Sequence, residues 1–542
     1  MPIPKLAAVI LLAALWAACA HITPLEGGDK DTTPPQVDTS RSSPMSPVHT
    51  HPREIRLAFN EWIRLDNPFK NILISPPLSK RPEIKLKGKA VVVRFADDED
   101  FHDNTTYVIN FGSAIKDITE GNAAQGLAYV FSTGPDIDSL TLEGSVVDAR
   151  TGQGVEQVSV MLYKELDDSV VYKQKPYYLA FTDKTGHFQF QYLHPGRYKI
   201  FALRDADNDY LYSQPGEAIA FADSTVRAGR PEPYHLRLSV PELPLKVKDI
   251  KQPASGMLQL VFNRPAHRPE VTGQHIKTLF YEPKGDTLTL WIDGRDTSSA
   301  LILKEEGHVV DTIQPGREKK SLDSLQAVRG LGTGTRQLTP VQMFSLQFSM
   351  PVVRWNPDRF VVRQDSNRLD ITHIRRDSVR PTVLYIDWPR SEGHTYALDL
   401  LPGAITGFDG RTNPDTIHRR VTVLEKSKLG NISVTIHPPD STAHYVLRLL
   451  SADKKEVERL VLEPLRFSCQ WPLQRPGQYS LELILDHNRN GRWDPADYRA
   501  HQQPEPIFVK KLEPLRANWD LDVQWTPAQP AAPAGSREKI RQ

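Results

Sequence analysis

Cysteine is almost missing from this chain, with two in 542 residues, Cys19 and Cys469. A disulfide framework is therefore excluded as its main source of stability. An excess of charge of one sign is missing as well: 67 Lys and Arg stand against 66 Asp and Glu. A nucleic-acid binder needs a basic face to displace phosphate counterions, so no nucleic-acid partner is expected. Helical periodicity is scarce, and Ser321–Val328 is the one short stretch that reads as a helix. Familiar chemical signatures are also absent. There is no His-Glu-x-x-His, no Gly-x-Ser-x-Gly elbow and no Cys-x-x-Cys. The run Gly330-Leu331-Gly332-Thr333-Gly334 lacks the Lys-Ser/Thr ending of a phosphate loop and reads as a linker. We therefore expect a protein that is not an enzyme. A chain of this length exceeds what one hydrophobic core can organise, and its 44 prolines favour short strands over long elements.

What is present begins with a leader. Lys5 precedes an apolar run from Leu6 to Leu15, then Ala17, Ala18 and Cys19. This run is shorter than the roughly 20 residues that span a bilayer, and it suits a signal peptide over 1–18. A cysteine directly after two alanines resembles a lipobox. That resemblance implies a lipid on Cys19 and a membrane anchor, with residues 19–35 as a polar tether. Trp16 stands where such signals usually carry Leu, so an ordinary secretory signal with an incidental cysteine stays open.

Beyond the tether the chain alternates at period two. Ile55, Leu57 and Phe59 share one strand face, and the pattern with its trailing polar residue recurs at Leu258-x-Leu260-x-Phe262-Asn263 and Phe344-x-Leu346-x-Phe348-Ser349. Thr106-Tyr107, Ala114-Ile115 and Asp117 in the first copy correspond to Thr395-Tyr396, Ala404-Ile405 and Asp409 in the third. A second repeat is clearer. Pro195-Gly196-x-Tyr198 is followed by Asp205, Asp207 and Asp209, and Pro476-Gly477-x-Tyr479 by Asp486, Asn488 and Asn490. Glycine leads the first Asp by nine residues in both, and an aromatic, Tyr212 or Trp493, follows that Asp by seven.

These residues carry family resemblances. Thr33-Pro34-Pro35, Leu57-x-Phe59-Asn60-Glu61, Asp117 with Gly121-Asn122, and Phe131-Ser132-Thr133-Gly134 resemble the bacterial Ig-like domain named after the surface-layer protein SbsA. Gly144-x-Val146-x-Asp148, Thr151-Gly152 and the run from Thr182 to Tyr198 resemble the carboxypeptidase regulatory-like, or prealbumin-like, β-sandwich. A leader followed by these modules is similar to Ig-like-domain lipoproteins of Bacteroidetes-type bacteria. The resemblance implies an all-β fold of tandem β-sandwich modules, Ig-like and prealbumin-like. With the internal repeats, which carry the division past residue 240, it divides the chain into an Ig-like domain at 36–135, a prealbumin-like sandwich at 138–240 and a divergent Ig-like module at 245–328. An Ig-like domain at 336–425, a second prealbumin-like sandwich at 430–526 and a disordered tail at 527–542 complete it. It also implies an outer-membrane lipoprotein of the bacterial cell envelope, on its periplasmic or surface face.

Two turns look chemical. Counted from Asp486, oxygen side chains fall at positions one, three, five, nine and twelve: Asp486, Asn488, Asn490, Asp494 and Asp497. Gly491 falls at six, and Arg492 can offer its carbonyl at seven. This is the ligand spacing of an EF-hand loop, with Asp in place of the final Glu and no flanking helices. The earlier copy, Asp205, Asp207 and Asp209 with Glu217, lacks that glycine but crowds three carboxylates. Calcium is the cofactor expected at both, against the alternative of Asx turns bonding their own backbone. The function expected is an envelope scaffold of modules in series that contacts a glycan or envelope protein. The alternative is an accessory glycan-binding lipoprotein serving an outer-membrane transporter, with Trp493 and Tyr212 as candidate platforms.

Overall fold

The computed structural model describes residues 31–528 except 125, 255, 274–278, 293–299, 315–329 and 332–334. The leader with Cys19, the Ser321–Val328 helix, Gly332, Gly334 and the tail from 529 lie outside the described residues. Within them the chain is a tandem array of β-sandwiches, and five hydrophobic cores lie along it, spanning Ile55–Phe131, Leu142–Leu238, Leu245–Ile313, Leu338–Val423 and Ile432–Trp525. We call the units around them the first to fifth modules.

Period-two alternation builds each core. Ile55, Leu57 and Phe59 are buried in the first, Leu258, Leu260 and Phe262 in the third, and Phe344, Leu346 and Phe348 in the fourth. The Asp of the first Ig-like turn is buried and ties it: Asp117 accepts from the backbone N–H of Glu120 (2.7 Å), Gly121 (2.8 Å) and Asn122 (2.9 Å). In the fourth module the corresponding work falls to Asn413. Its Oδ1 accepts from Ile405 N (2.9 Å) and its Nδ2 donates to the carbonyls of Leu401 and Asp415 (both 2.9 Å).

The second and fifth modules have one topology. In the second, one sheet orders His187–Leu193, Leu140–Asp148 and Tyr234–Leu238, the last pair parallel. The facing sheet orders Tyr178–Phe181, Ser159–Tyr163, Arg197–Arg204 and Ala218–Phe221. The fifth repeats both, with Ser468–Gln474, Gly430–Ile436 and Asp520–Trp525, again parallel at the last pair, facing Glu456–Leu462, Tyr445–Ser451, Tyr479–Leu485 and Ile507–Lys511. The Pro-Gly-x-Tyr signature has a physical reason. Tyr198 donates its hydroxyl to the carbonyl of His194 (2.7 Å) and Tyr479 donates to that of Arg475 (2.8 Å), each closing the corner four residues upstream. Gly144 is required where strands cross closely, because a Cβ there would sit 2.1 Å from the Tyr234 carbonyl oxygen.

The modules do not simply follow one another in series. The fifth folds back onto the second, and Ala496 and Tyr498 of the fifth join Met161, Tyr163, Phe201 and Phe221 in one further apolar cluster. Cys469 is a free, buried thiol.

Candidate functional site

In the second and fifth modules a central strand, Arg197–Arg204 or Tyr479–Leu485, runs straight into an Asp that folds the following loop around itself. Asp205 accepts from Asn208 N (2.7 Å) and Tyr210 N (2.8 Å). Asp486 accepts from Asn490 N (3.1 Å) and Gly491 N (2.9 Å). Such a loop needs left-handed backbone twice. Asn208 and Tyr210 have φ of 62° each, and Arg489 and Gly491 have 61° and 80°. The first copy therefore reaches the same conformation without its glycine, at a cost of about 1 kcal/mol for a non-glycine residue there.

A buried glutamate at the start of the next strand laces each loop shut. Glu217 accepts from Ala206 N (3.1 Å), Ser213 N (3.1 Å) and Gln214 N (3.0 Å). In the fifth module this role belongs to Glu505, fully buried at 0% exposure, which accepts from His487 N (2.8 Å) and Asp494 N (3.1 Å). Glu217, a ligand candidate from the sequence, turns its oxygens to backbone N–H groups. Glu505 escapes the same pattern because the Asp-to-Glu spacing stretches from 12 residues to 19. The available signal was a Glu standing just ahead of an apolar strand in both copies.

The two loops differ in electrostatics. Carboxylate oxygens of Asp205, Asp207 and Asp209 lie within 4.8 Å of one another, the one such metal-sized acidic group among the described residues. Burial raises the Asp205 pKa above the usual aspartate range, and the neighbouring Asp207 and Asp209 push the same way. A hydrogen bond from Gln214 Nε2 (2.7 Å) holds Asp207 below that range. In the second loop nitrogen donors surround the acid. Asp494 accepts from Asn488 Nδ2 (2.5 Å), Asn490 Nδ2 (2.8 Å) and Arg492 Nε (3.0 Å). Arg492 also reaches Glu306 (3.0 Å) and Glu242 (3.5 Å). Burial would lower its pKa, but these three acids more than reverse that. The positive charge beside Asp494 is thus this guanidinium. Asp497 is not brought to the loop at all. It accepts from Arg499 N (2.9 Å) and Ala500 N (3.2 Å) and caps a separate turn.

That turn belongs to an excursion between Asp494 and Glu505 with no counterpart in the first copy. Its neck is closed by paired hydrogen bonds between Asp497 and Gln502 (2.9 and 2.8 Å). Its tip inserts Tyr498, 5% exposed, against Phe201 (centroids 5.0 Å apart, 89°) and Phe221 (4.9 Å, 63°) of the second module. The Tyr498 hydroxyl donates to the Asp168 carbonyl (3.0 Å), and Ala496 N donates to Ser239 Oγ (2.8 Å). The two expected aromatic platforms sit in this junction too. Trp493 donates Nε1 to the Glu505 carbonyl (2.8 Å) beneath Arg150, and Tyr212 packs on Tyr172.

Compared with known proteins, residues 31–133 match the family model of a bacterial Ig-like domain. No curated protein matches the chain. Among solved structures, the Bacillus anthracis TIE protein aligns at 8% identity over 93% of this chain and 76% of its own, with a TM-score of 0.15. The Bacillus cereus major pilin subunit BcpA aligns at 9% identity over 72% and 100%, with a TM-score of 0.14. The Bacteroides ovatus SGBP-B of a mixed-linkage glucan utilization locus, solved with a heptasaccharide, aligns at 9% identity over 70% and 94%, with a TM-score of 0.18. The stretch 31–133 is therefore a bacterial Ig-like domain, and it stands at the head of the tandem β-sandwiches that the described residues form.

Proposed function

We propose that this chain is a non-enzymatic scaffold of a bacterial cell envelope, anchored in the outer membrane by a lipid on Cys19 and built on an SbsA-type Ig-like domain. The observation that supports this reading is the clasp around Tyr498. Tethering two sandwiches that lie far apart in sequence converts a flexible string into a stiff unit, as a load-bearing or adhesive scaffold requires. Metabolic labelling with an alkynyl fatty acid tests the anchor. Wild type takes up label and sediments with membranes, and Cys19→Ser does neither. Protease shaving of intact cells then distinguishes the two faces. Digestion without breaching the outer membrane means surface exposure and adhesion, and protection means a periplasmic scaffold.

The accessory glycan-binding reading draws support from three exposed rings, Trp62, Phe69 and Trp519, at 59%, 65% and 50% exposure. Glycan-array binding lost on alanine substitution of these rings, rather than of Trp493 or Tyr212, is its test. Calcium belongs to the proposal at the Asp205, Asp207 and Asp209 turn, where hard carboxylate oxygens converge.

A further inference from the structure

The outer face of the second module's three-stranded sheet carries residues that its own core does not use. Along Tyr234–Leu238 the residues Tyr234, Leu236 and Leu238 are buried in the core, so His235 and Arg237 point to the opposite side. The strand pairs in parallel with Leu140–Asp148, bringing Ser145 beside His235 and Val147 beside Arg237. The Ser145 hydroxyl and His235 Nδ1 are hydrogen bonded at 2.8 Å. Because the fifth module folds back, its strand Ile507–Lys511 and Trp525 face this surface across an open cleft of about 420 Å³.

Arg237 is the unusual group in that cleft. Its Nε is shut off from solvent and has no hydrogen-bond partner. Burial lowers its pKa, and Asp223 is the acid whose charge opposes this. Asp223 itself accepts from Gln503 Nε2 (2.8 Å). Asp148 is the one acid among the residues lining the cleft, and it spends Oδ1 on Arg150 N (3.1 Å), Thr151 N (2.8 Å) and the Thr151 hydroxyl (2.9 Å). A guanidinium stays charged when buried, and burying it without a full set of acceptors is costly. Arg150 lines the same cleft and adds a second positive charge.

We propose that this cleft between the second and fifth modules binds a carboxylate-bearing ligand, an acidic sugar or a small free carboxylate, with Arg237 as its principal contact. A carboxylate offers the terminal nitrogens of the guanidinium two parallel acceptors and a compensating negative charge. The Ser145–His235 pair and the apolar wall at Phe508 supply hydroxyl and ring surfaces of the kind a sugar meets. The site needs only the cleft, so it stands apart from the scaffold reading.

The test is calorimetric titration and thermal melting of the full chain with D-galacturonate and D-glucuronate. D-Galactose and D-glucose serve as neutral controls and acetate as the bare carboxylate. Saturable binding of the uronates with none by the neutral sugars is expected. Tighter binding of uronates than acetate assigns the site to acidic sugars, and equal binding assigns it to free carboxylates. Arg237→Met should melt no lower than wild type without ligand, yet lose about tenfold or more in affinity. Arg237→Lys, which keeps the charge but not the fork, should lose affinity as well. No saturation at millimolar ligand, equal binding of neutral sugars, or wild-type affinity in both variants would overturn the proposal.

Discussion

Tyr498→Ala should undo the contact between the second and fifth modules while leaving both cores folded. The ring makes two edge-to-face contacts, with Phe201 and Phe221, each contributing about 0.5–1.5 kcal/mol beyond its buried area. Its hydroxyl adds a hydrogen bond to Asp168 of about 0.5–1.5 kcal/mol. Truncating a fully buried aromatic costs about 3–5 kcal/mol in all. Both rings and Asp168 belong to the second module, so the loss falls on docking rather than on the core of the fifth. At about 1.4 kcal/mol per tenfold, the docked state should weaken by a factor of about a hundred or more. Small-angle scattering should report a larger radius of gyration, and limited proteolysis should cut within 495–503. Tyr498→Phe keeps the rings and should cost only about 1 kcal/mol. If Tyr498→Ala scatters and resists protease as wild type does, the clasp does not hold the modules together and the reasoning fails.

Three further outcomes follow from the same geometry. Burial, together with the charges of Asp494 and Asp486 and against hydrogen bonds from His487 and Asp494, pushes the Glu505 pKa from 4.5 up to about 7. The folded state then holds more protons than the unfolded one between those values, so stability falls as pH rises through that window, by roughly 3 kcal/mol in full. Urea midpoints of Glu505→Gln should lose that slope, although the amide can accept only one of the two N–H groups; an unchanged slope would assign it elsewhere. Gly144→Ala should lower the unfolding free energy read from urea titration by about 3 kcal/mol, because its methyl meets the Tyr234 carbonyl at 2.1 Å and the Phe188 ring at 2.6 Å; a neutral effect would mean the strands can separate freely there. Calcium should raise the melting temperature of wild type and not of Asp207→Asn, with Asp494→Asn as a control that retains the response. Loss of the response in the Asp494 variant instead would move the ion to the second loop.

The strands and cores were legible because one physical rule writes them. Ile55, Leu57 and Phe59 alternate with polar residues, and so do Leu258, Leu260 and Phe262, so a sandwich face follows directly from parity. Pro-Gly-x-Tyr was legible as a repeat, and its meaning, a tyrosine hydroxyl closing a corner, emerged only from the fold. The second acidic loop is less legible, for a different reason. Spacing fixes which oxygens can converge but not which hydrogen donors reach them first. Asn488, Asn490 and Arg492 turned nitrogen toward Asp494, and Asp497 left with its own turn. Tyr498 gave no signal, because a clasp residue in an aperiodic loop is defined by a surface contributed from some 300 residues away.

The extra excursion and the buried acid act as one device. The excursion leaves the loop at Asp494 and rejoins the sheet beside Glu505, and these two residues bridge its base. Asp494 N donates to the Glu505 carboxylate (3.1 Å) and Glu505 N donates to the Asp494 carbonyl (3.0 Å). Above that base the Asp497–Gln502 pair holds the neck, and Tyr498 projects from the tip. Adding a third negative charge at Glu505, next to Asp494 and Asp486, strains the base from which the clasp extends. Arg492 opposes that strain, because its guanidinium neutralises Asp494 while also reaching Glu242 and Glu306. Arg492→Met should therefore steepen the pH dependence that Glu505→Gln removes, and a double variant should show no slope. Scattering measured across the same pH range would reveal whether docking, and not only core stability, follows that titration; a radius of gyration constant through the transition in Arg492→Met would separate the two.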